Sequence, residues 1–166
     1  MRGSPATIVQ CAQVALLLRE IFAKSKLDCY AKTSGSKGMQ LYIPLNTPTT
    51  FDKTKPFAHE LAQRLERQHP KLVISRMSKE LRKGKVFVDW SQNDDSKTTI
   101  CVYSLRAKER PTVSTPLTWE EVANCAESKD PQRFAFETEA VLKRVEKYGD
   151  LFEPVLKQKQ KLPKEV

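Results

Sequence analysis

A short apolar run in the middle of the chain constrains the possible folds more than any other feature. Residues 86–88 are valine, phenylalanine and valine, and such a run of β-branched and aromatic residues predicts a buried strand. Asp89 ends the run, and a polar loop then leads to Arg106. A strand that fixes a carboxylate beside a loop that carries polar contacts suits a metal-bound phosphate. Residues 85–106 therefore predict a central strand and a candidate site together.

A second stretch, residues 32–38, reads Lys-Thr-Ser-Gly-Ser-Lys-Gly. It lies between two runs that predict short strands, residues 29–32 and 39–44. Its hydroxyl groups, two lysines and backbone N–H groups offer a place where a polyphosphate could rest. Its glycines allow positive φ or a close approach of a ligand to the backbone. The alternative is an ordinary hairpin loop with solvated charge. The two stretches together predict a nucleotide site.

Both stretches resemble the polymerase domain of bacterial DNA ligase D, the primase-like nucleotidyltransferase of non-homologous end joining. The match runs in order over roughly residues 4 to 163, with family-like spacing. The resemblance implies an α/β (α+β) fold with a small, mainly antiparallel sheet and helices on one face, as in the catalytic half of the archaeo-eukaryotic primase fold. The residues that carry it are 32–38, 41–45, 78–93, 97–99, 103–106 and 110–122.

The resemblance also implies a set of site residues. Asp89 aligns with a catalytic, metal-binding carboxylate of the family. The implied ligands are Mn²⁺ or Mg²⁺ and an NTP or dNTP substrate. Gln40 stands where the family usually has histidine, and an amide can form hydrogen bonds but cannot exchange a proton near neutral pH. The residues implied to contact the nucleotide and its phosphates are Ser34, Lys37, Arg82, Gln92 and Arg106.

The start of the chain departs from the family pattern. In the family, an Asp-x-Asp pair that binds the catalytic metals precedes the first helix, whereas this sequence has Met1, Arg2 and Gly3 there. Two-metal nucleotidyl transfer needs several carboxylates that converge on both ions. We therefore expect an N-terminally truncated domain with weak or no polymerase activity by itself. Asp94 and Asp95 are candidate replacements, but the surrounding Asn-Asp-Asp-Ser also predicts a solvated turn.

Two functions follow from the resemblance. The first is nucleotidyl transfer from an NTP or dNTP to DNA 3′ ends in end-joining repair. The alternative is a truncated, non-catalytic remnant that binds nucleotide or DNA. The implied partners are DNA ends, nucleotides, a ligase module, an end-binding protein, or a chain that supplies the missing N-terminal half. No membrane partner is expected.

The charge of the chain favours an anionic partner. The formal net charge is +9 and the pI is near 9.4, which fits nucleic acid, nucleotide or an anionic membrane. The alternative is a basic surface that binds nothing. From Lys71 to Lys85 there are six basic residues against one acid, Glu80. The excess of basic residues therefore lies beside the predicted site.

Composition excludes several other classes of protein. The four cysteines form no Cys-x-x-Cys pair, so neither a zinc knuckle nor a redox motif is indicated, and reduced core cysteines are expected. The two histidines, His59 and His69, do not indicate a metal site. No apolar run of about 18 residues and no signal peptide are present, which predicts a cytoplasmic protein. The resemblance implies the bacterial cytosol and association with the nucleoid.

The remaining patterns predict four helices in one domain. Ser4 and Pro5 are typical of the start of the first helix, and the second ends near Gln68. Thr118 predicts an N-cap for the third, and the fourth covers about residues 138–148. At 166 residues the chain has room for one domain of ordinary size. We assign residues 1–156 to a single partial polymerase or primase-like domain and residues 157–166 to a basic tail or linker that frays or leads onward.

Overall fold

The computed structural model describes residues 6–163, which form helices and two separate small sheets. Two 3₁₀ turns, Glu80–Arg82 and Trp90–Gln92, flank the second sheet. The helices are α1 (Ile8–Lys24), α2 (Phe51–Gln68), α3 (Trp119–Glu127), α4 (Thr138–Tyr148) and α5 (Glu153–Lys157), and the strands are β1 (Tyr30–Thr33), β2 (Met39–Tyr42), β3 (Val73–Ile74), β4 (Val86–Phe87) and β5 (Pro116–Leu117).

The larger sheet is antiparallel and has the order β2-β1-β5. Tyr30 pairs with Tyr42 and Thr33 with Met39 in the β1–β2 hairpin, while Ala31 pairs with Leu117 on β5. The sheet packs against α1 and α3 through a core of small and aliphatic side chains. The predicted class, helices with a small antiparallel sheet, is confirmed. The buried residues of this core are Ile8, Ala12, Ala15, Ala31, Leu117, Val122, Cys125 and Phe134.

The strand predicted at residues 86–88 does not lie in the centre of the larger sheet, so this part of the prediction is wrong. β4 is two residues long and pairs in parallel with β3, with Val73 opposite Val86 and Ile74 opposite Phe87. Only Val86 of the apolar run is buried, because it packs into a second core between α1 and α2. The run therefore buries its apolar surface against helices instead of in the larger sheet.

Helix α1 lies between the two cores. Thr7 is its N-cap, and Gln10 completes a capping box by accepting the Thr7 N–H at 2.9 Å. The N-cap predicted at Ser4 and Pro5 lies outside the described residues. Ile8, Ala12 and Ala15 face the first core, whereas Val14, Leu18 and Phe22 face the second. A helix that is buried on two sides is apolar over more than one narrow stripe.

Helix α3 begins, and helix α4 begins and ends, as the sequence predicts. The Thr118 hydroxyl accepts the Glu121 N–H at 3.2 Å, and the Glu121 carboxylate accepts the Thr118 N–H at 2.8 Å. Gly149 ends α4 with a φ of +68°, a conformation that favours glycine. Arg144 of α4 forms an ion pair with Glu121 and donates to the Pro116 carbonyl at 2.9 Å. These contacts connect α4 to α3 and to the larger sheet.

The chain after α5 returns to the body of the protein. The Tyr30 hydroxyl donates to Gln158 Oε1 at 2.7 Å, and the Gln160 N–H donates to the Leu45 carbonyl at 2.8 Å. Gln160 Nε2 also donates to the Asp28 carbonyl at 3.0 Å. The expected fraying is therefore wrong for Gln158 and Gln160. The domain boundary after residue 156 stays a prediction.

The cysteines are all free thiols, as the sequence predicts. Cys29 and Cys125 are buried and Cys11 is half-buried, but Cys101 is exposed, so the expectation of core cysteines is wrong for Cys101. Within residues 6–163, no helix has both the length and the apolar character needed to cross a membrane.

Candidate nucleotide-binding site

The loop between β1 and β2, residues 34–38, is shaped by the Ser34 side chain. The Ser34 hydroxyl oxygen accepts the backbone N–H groups of Ser36 and Gly38, both at 3.2 Å. The Ser34 N–H donates to the Gly38 carbonyl at 2.9 Å and closes the loop. A hydroxyl that accepts two hydrogen bonds still has its proton to donate. Lys37 lies at the exposed tip of the loop, so both predicted phosphate contacts of this loop are available to an anion.

Arg106 packs directly against this loop at Gly35. Gly35 has a φ of +65°, and a Cβ on it would lie 2.8 Å from Arg106 Cγ and 2.9 Å from the Ser114 nitrogen. The Arg106 N–H donates to the Thr112 carbonyl at 2.8 Å, and the Thr112 hydroxyl donates to the Gly35 carbonyl at 2.6 Å. The structure therefore brings the predicted residues Ser34, Lys37 and Arg106 together. We call these three residues the loop group.

Arg82 lies beside the strand that leads to Asp89. Its guanidinium group stacks over the Phe87 ring at 3.7 Å, and its Nη2 donates to the Met77 carbonyl at 2.6 Å. Arg82 Nε is buried and has no hydrogen-bond partner among residues 6–163. Such a buried donor costs free energy unless another group accepts its hydrogen bond. The Nε–H of Arg82 is therefore a donor that the described residues leave unused.

Asp89 follows β4 and is exposed. Its carboxylate accepts the Ser91 hydroxyl at 2.5 Å and Gln92 Nε2 at 3.4 Å. The 3₁₀ turn after Asp89 folds Gln92 back toward the carboxylate. The structure thus brings Asp89 and Gln92 into contact, and we call these two residues, together with Arg82 on the segment that leads into β4, the strand group.

The described residues do not by themselves fit a two-metal centre. Divalent ions of this kind need several oxygen ligands, and residues 6–163 hold no group of three or more His, Cys, Asp or Glu side chains that could bind a metal ion. Asp94 is not a replacement, because it forms an ion pair with Lys55 and accepts the Ser96 N–H at 3.0 Å. The Lys55 ammonium holds the pKa of Asp94 well below its usual range. The predicted turn at Asp94 is confirmed.

Lys32, which the sequence places at the end of the predicted strand 29–32 and at the start of the stretch 32–38, lies in the strand. It is a β1 residue with no exposed surface, and burial lowers its pKa from 10.5 to about 8. Its ammonium donates to Gln40 Oε1 at 2.6 Å, to the Ile100 carbonyl at 2.9 Å and to Ser114 Oγ at 2.7 Å. The expectation that Lys32 lines a phosphate site is therefore wrong. Lys32 lies opposite Gln40 in the antiparallel β1–β2 hairpin. The alternation of side chains along the two predicted strands was the sequence signal for this pairing, and the sequence-based prediction did not use it.

Trp90 is used for packing. Its ring stacks on His59 of α2 with centroids 3.9 Å apart, and its Nε1 donates to the Ser75 carbonyl at 2.9 Å. The Trp90 ring therefore packs against α2. His59 is half-buried.

A cleft of about 330 Å³ opens on one side of the loop group. Ser36, Lys37 and Gly38 line one wall, and the start of α1 and residues 131–135 line the other. Its volume is within the range of small-molecule sites. The cleft gives Lys37 an open space in which to meet a ligand.

Comparison with known proteins identifies relatives of this chain. The family model described as "LigD, primase-polymerase domain" matches residues 3–152. The chain is 43% identical over 153 residues to the "Multifunctional non-homologous end joining protein LigD" of Mycolicibacterium smegmatis, covering 92% of this chain and 19% of the relative. It is 46% identical over 151 residues to the "Multifunctional non-homologous end joining DNA repair protein LigD" of Mycobacterium tuberculosis, covering 91% of this chain and 19% of the relative.

A solved structure matches the fold as well. The "Polymerase Domain from Mycobacterium tuberculosis Ligase D in complex with DNA" superposes with a TM-score of 0.83 at 42% identity, covering 95% of this chain and 53% of that chain. The chain thus spans about one fifth of the length of the curated relatives above and about half of the solved domain.

Proposed function

The chain belongs to the family of LigD primase-polymerase domains, and on this basis we propose that it binds a nucleoside triphosphate for nucleotidyl transfer to DNA 3′ ends in end-joining repair. The observation that carries the proposal is the close packing of the Arg106 side chain on Gly35, because it brings a second cationic residue to the loop that carries Lys37. The name of a solved relative, a polymerase domain in complex with DNA, supports DNA as the second substrate.

The loop group is proposed to hold the triphosphate. Lys37 supplies a mobile point charge, and the planar guanidinium of Arg106 can donate two parallel hydrogen bonds to phosphate oxygens. The Ser34 hydroxyl adds a third donor from the loop that its own oxygen shapes. Three donors of this kind around one exposed loop suit an anion of high charge.

The strand group is proposed to complete the site. The buried Nε–H of Arg82 has no acceptor in the described part of the chain, and a phosphate or sugar oxygen of the nucleotide is proposed to accept its hydrogen bond. Gln92 is proposed to form hydrogen bonds with the nucleotide, and Asp89 to be one carboxylate ligand of Mn²⁺ or Mg²⁺. An ion held by Asp89 would supply charge neutralisation for a leaving pyrophosphate. The chain's own residues bind and orient the nucleotide.

The remaining partners are also proposals. The basic residues between Lys71 and Lys85 are suited to the DNA backbone. We propose three further partners: a ligase module, an end-binding protein and a chain that supplies the N-terminal half. We also propose that the protein acts in a bacterial cytosol in association with the nucleoid.

The first test is nucleotide binding by the purified chain. Titration calorimetry with ATP and magnesium should show binding, and Lys37→Ala and Arg106→Ala should each weaken it about 10- to 100-fold, since each removes a charge-assisted hydrogen bond. Lys24→Ala on α1 and Arg67→Ala on α2 are matched controls, because both side chains are exposed on helices outside the two groups. Unchanged affinity in Lys37→Ala and Arg106→Ala would contradict the assignment of the loop group.

The second test separates catalysis from binding. Template-dependent primer extension with Mn²⁺ and each nucleotide set, performed with the wild type and Asp89→Asn, measures turnover directly. Extension that is lost in Asp89→Asn, while the thermal transition is retained, supports Asp89 as the metal ligand. Nucleotide binding without extension would instead support the alternative function, a non-catalytic nucleotide- or DNA-binding remnant.

A further inference from the structure

Lys32 connects three separate segments of the chain from inside the protein. Its ammonium donates to Gln40 on β2, to the carbonyl of Ile100, and to Ser114 just before β5. An ammonium has three N–H donors, so all three are used by the protein. Lys32 therefore has no donor left for a ligand, and any effect on the site acts through other residues or through its charge.

The contacts of Ser114 and Thr33 extend this network to the loop group. The Ser114 hydroxyl donates to the Thr33 carbonyl at 2.8 Å, and the Ser114 N–H donates to the Ser104 carbonyl at 2.9 Å. The Thr33 hydroxyl donates to the Val113 carbonyl at 3.2 Å and accepts the Gly35 N–H at 3.3 Å. The loop that carries Lys37 and the segment that carries Arg106 are thus attached to the same buried polar centre.

The charge of Lys32 has no anionic partner among these contacts. All three acceptors are neutral, and the Tyr42 ring lies 5.7 Å from the ammonium. Two other ionisable groups face it, the Cys101 thiol and the Arg106 guanidinium, and the positive charge of Arg106 disfavours the ammonium form. A charge in a buried site acts over a longer distance than one in water, because the local dielectric is lower.

We propose that Lys32 is a positioning residue whose buried ammonium aligns the loop group and adds uncompensated positive charge beneath the triphosphate. The inference rests on the proposed function, because it takes the triphosphate to bind at Ser34, Lys37 and Arg106. A bound polyanion supplies the opposite charge that Lys32 lacks. Binding therefore favours the protonated form of Lys32, and the protein takes up a proton as the nucleotide binds.

The test compares wild type with Lys32→Met, which keeps the length of the side chain and removes its charge and donors. ATP with magnesium is titrated into the full chain from pH 7 to 9.5, in two buffers that differ in ionisation enthalpy. We expect wild type to take up protons near pH 8, the pKa that burial gives Lys32. The affinity of the wild type for ATP should fall as the pH rises from 7 to 9.5. The fall should be about tenfold for each unit by which the bound phosphate raises the pKa of Lys32. Lys32→Met should bind more weakly at pH 7 and lack both effects.

Two controls assign the effect to Lys32. Lys24→Met makes the same change at an exposed position on α1 and should behave as wild type. Cys101→Ser removes the thiol that faces Lys32 and should retain the proton uptake. If Lys32→Met does not fold, the proposal is tested by the wild type alone. Absence of proton uptake by the wild type near pH 8 would overturn the proposal.

The outcomes separate this inference from the proposed function. If ATP binds and Lys37→Ala and Arg106→Ala weaken it, while Lys32→Met keeps the affinity and pH profile of wild type, the role of Lys32 is wrong and the proposed function stands. If ATP does not bind to the wild type, both are wrong. Weaker binding at pH 7 and loss of proton uptake in a folded Lys32→Met support the inference.

Discussion

Burial of the Lys32 ammonium among neutral acceptors makes the stability of the fold depend on pH even without a ligand. The folded protein releases the Lys32 proton near pH 8, whereas the unfolded chain keeps it to about pH 10.5. Between these values the unfolded state binds more protons, so the contribution of Lys32 to stability rises with pH. Below pH 8 Lys32 is protonated in both the folded and the unfolded protein, so folding carries the full free-energy cost of burying its charge.

Urea unfolding of the wild type and Lys32→Met at pH 7 and at pH 10 measures this contribution. The stability of Lys32→Met relative to wild type should be lower at pH 10 than at pH 7 by about 2 to 3 kcal/mol. The two proteins must be compared at the same pH because other groups also titrate in this range. Burial raises the pKa of Cys11 to about 11 and that of Cys29 to about 12, and both thiols lower the stability of the wild type above pH 9. A relative stability that does not change with pH would contradict the burial of a charged Lys32.

Single residues near the site differ in how far the sequence determines them. The contact of Asp89 with Gln92 follows from a spacing of three residues in a tight turn, so it can be read locally. The environment of Lys32 depends on Ile100 and Ser114, which are 68 and 82 residues away in sequence. A lysine next to a Thr-Ser-Gly loop looks solvated unless those distant partners are known, and for this reason the sequence interpretation was wrong there.

At the scale of elements, the β1–β2 loop depends on the absence of a side chain at Gly35. Both Gly35 and Gly84 have a φ of +65°, but of these two only Gly35 has neighbours within 4 Å of the position that a Cβ would occupy, among them Arg106 Cγ and the Ser114 nitrogen. Gly84→Ala should therefore cost only the backbone strain of about 1 to 2 kcal/mol. Gly35→Ala adds a clash with backbone atoms, and the total should reach about 3 to 5 kcal/mol.

Chemical denaturation of the two glycine variants measures these costs, and ATP titration measures their effect on the site. Gly35→Ala should also weaken nucleotide binding, because relief of the clash must displace Arg106 or the 113–114 backbone. Gly84→Ala should leave the affinity near that of wild type. Equal destabilisation by both substitutions would show that Arg106 does not pack closely on the loop.

Helices were predictable from the sequence to a greater extent than strand partners. The N-cap at Thr118 and the end of the fourth helix near residue 148 are local signals, and both are found where the sequence places them. The strand at Val86 was also recognised, but a run of three apolar residues does not specify its neighbour. Its pairing with Val73 and its burial against α1 and α2 depend on long-range packing, which periodicity does not encode.

For the whole molecule, the distribution of charge bears on the proposed DNA partner. Lys71, Lys79 and Lys83 are exposed, while Arg76 forms an ion pair with Glu66 at 3.3 Å. The net charge of +9 was evident from composition, but the partial neutralisation of Arg76 was not. Exposed lysines that contact phosphates release counterions, and this makes DNA affinity depend steeply on salt.

The final prediction concerns the salt dependence of DNA binding. The double variant Lys79→Gln with Lys83→Gln should weaken binding to duplex DNA of any sequence and reduce the slope of log affinity against log salt by up to about 2, because each lost phosphate contact removes about 0.9 of slope. Fluorescence anisotropy from about 50 to 200 mM salt, a range over which phosphate contacts dominate the change, measures it.

A matched variant with the same net charge, Lys129→Gln with Lys143→Gln, changes two exposed lysines on the opposite half of the sequence, near α3 and α4. If the basic segment between Lys71 and Lys85 contacts DNA, this variant keeps most of the wild-type slope. If both double variants lose the same affinity and the same salt slope, DNA binding depends on net charge alone. Binding would then be spread over the surface, and the basic segment would have no special place in the proposed function.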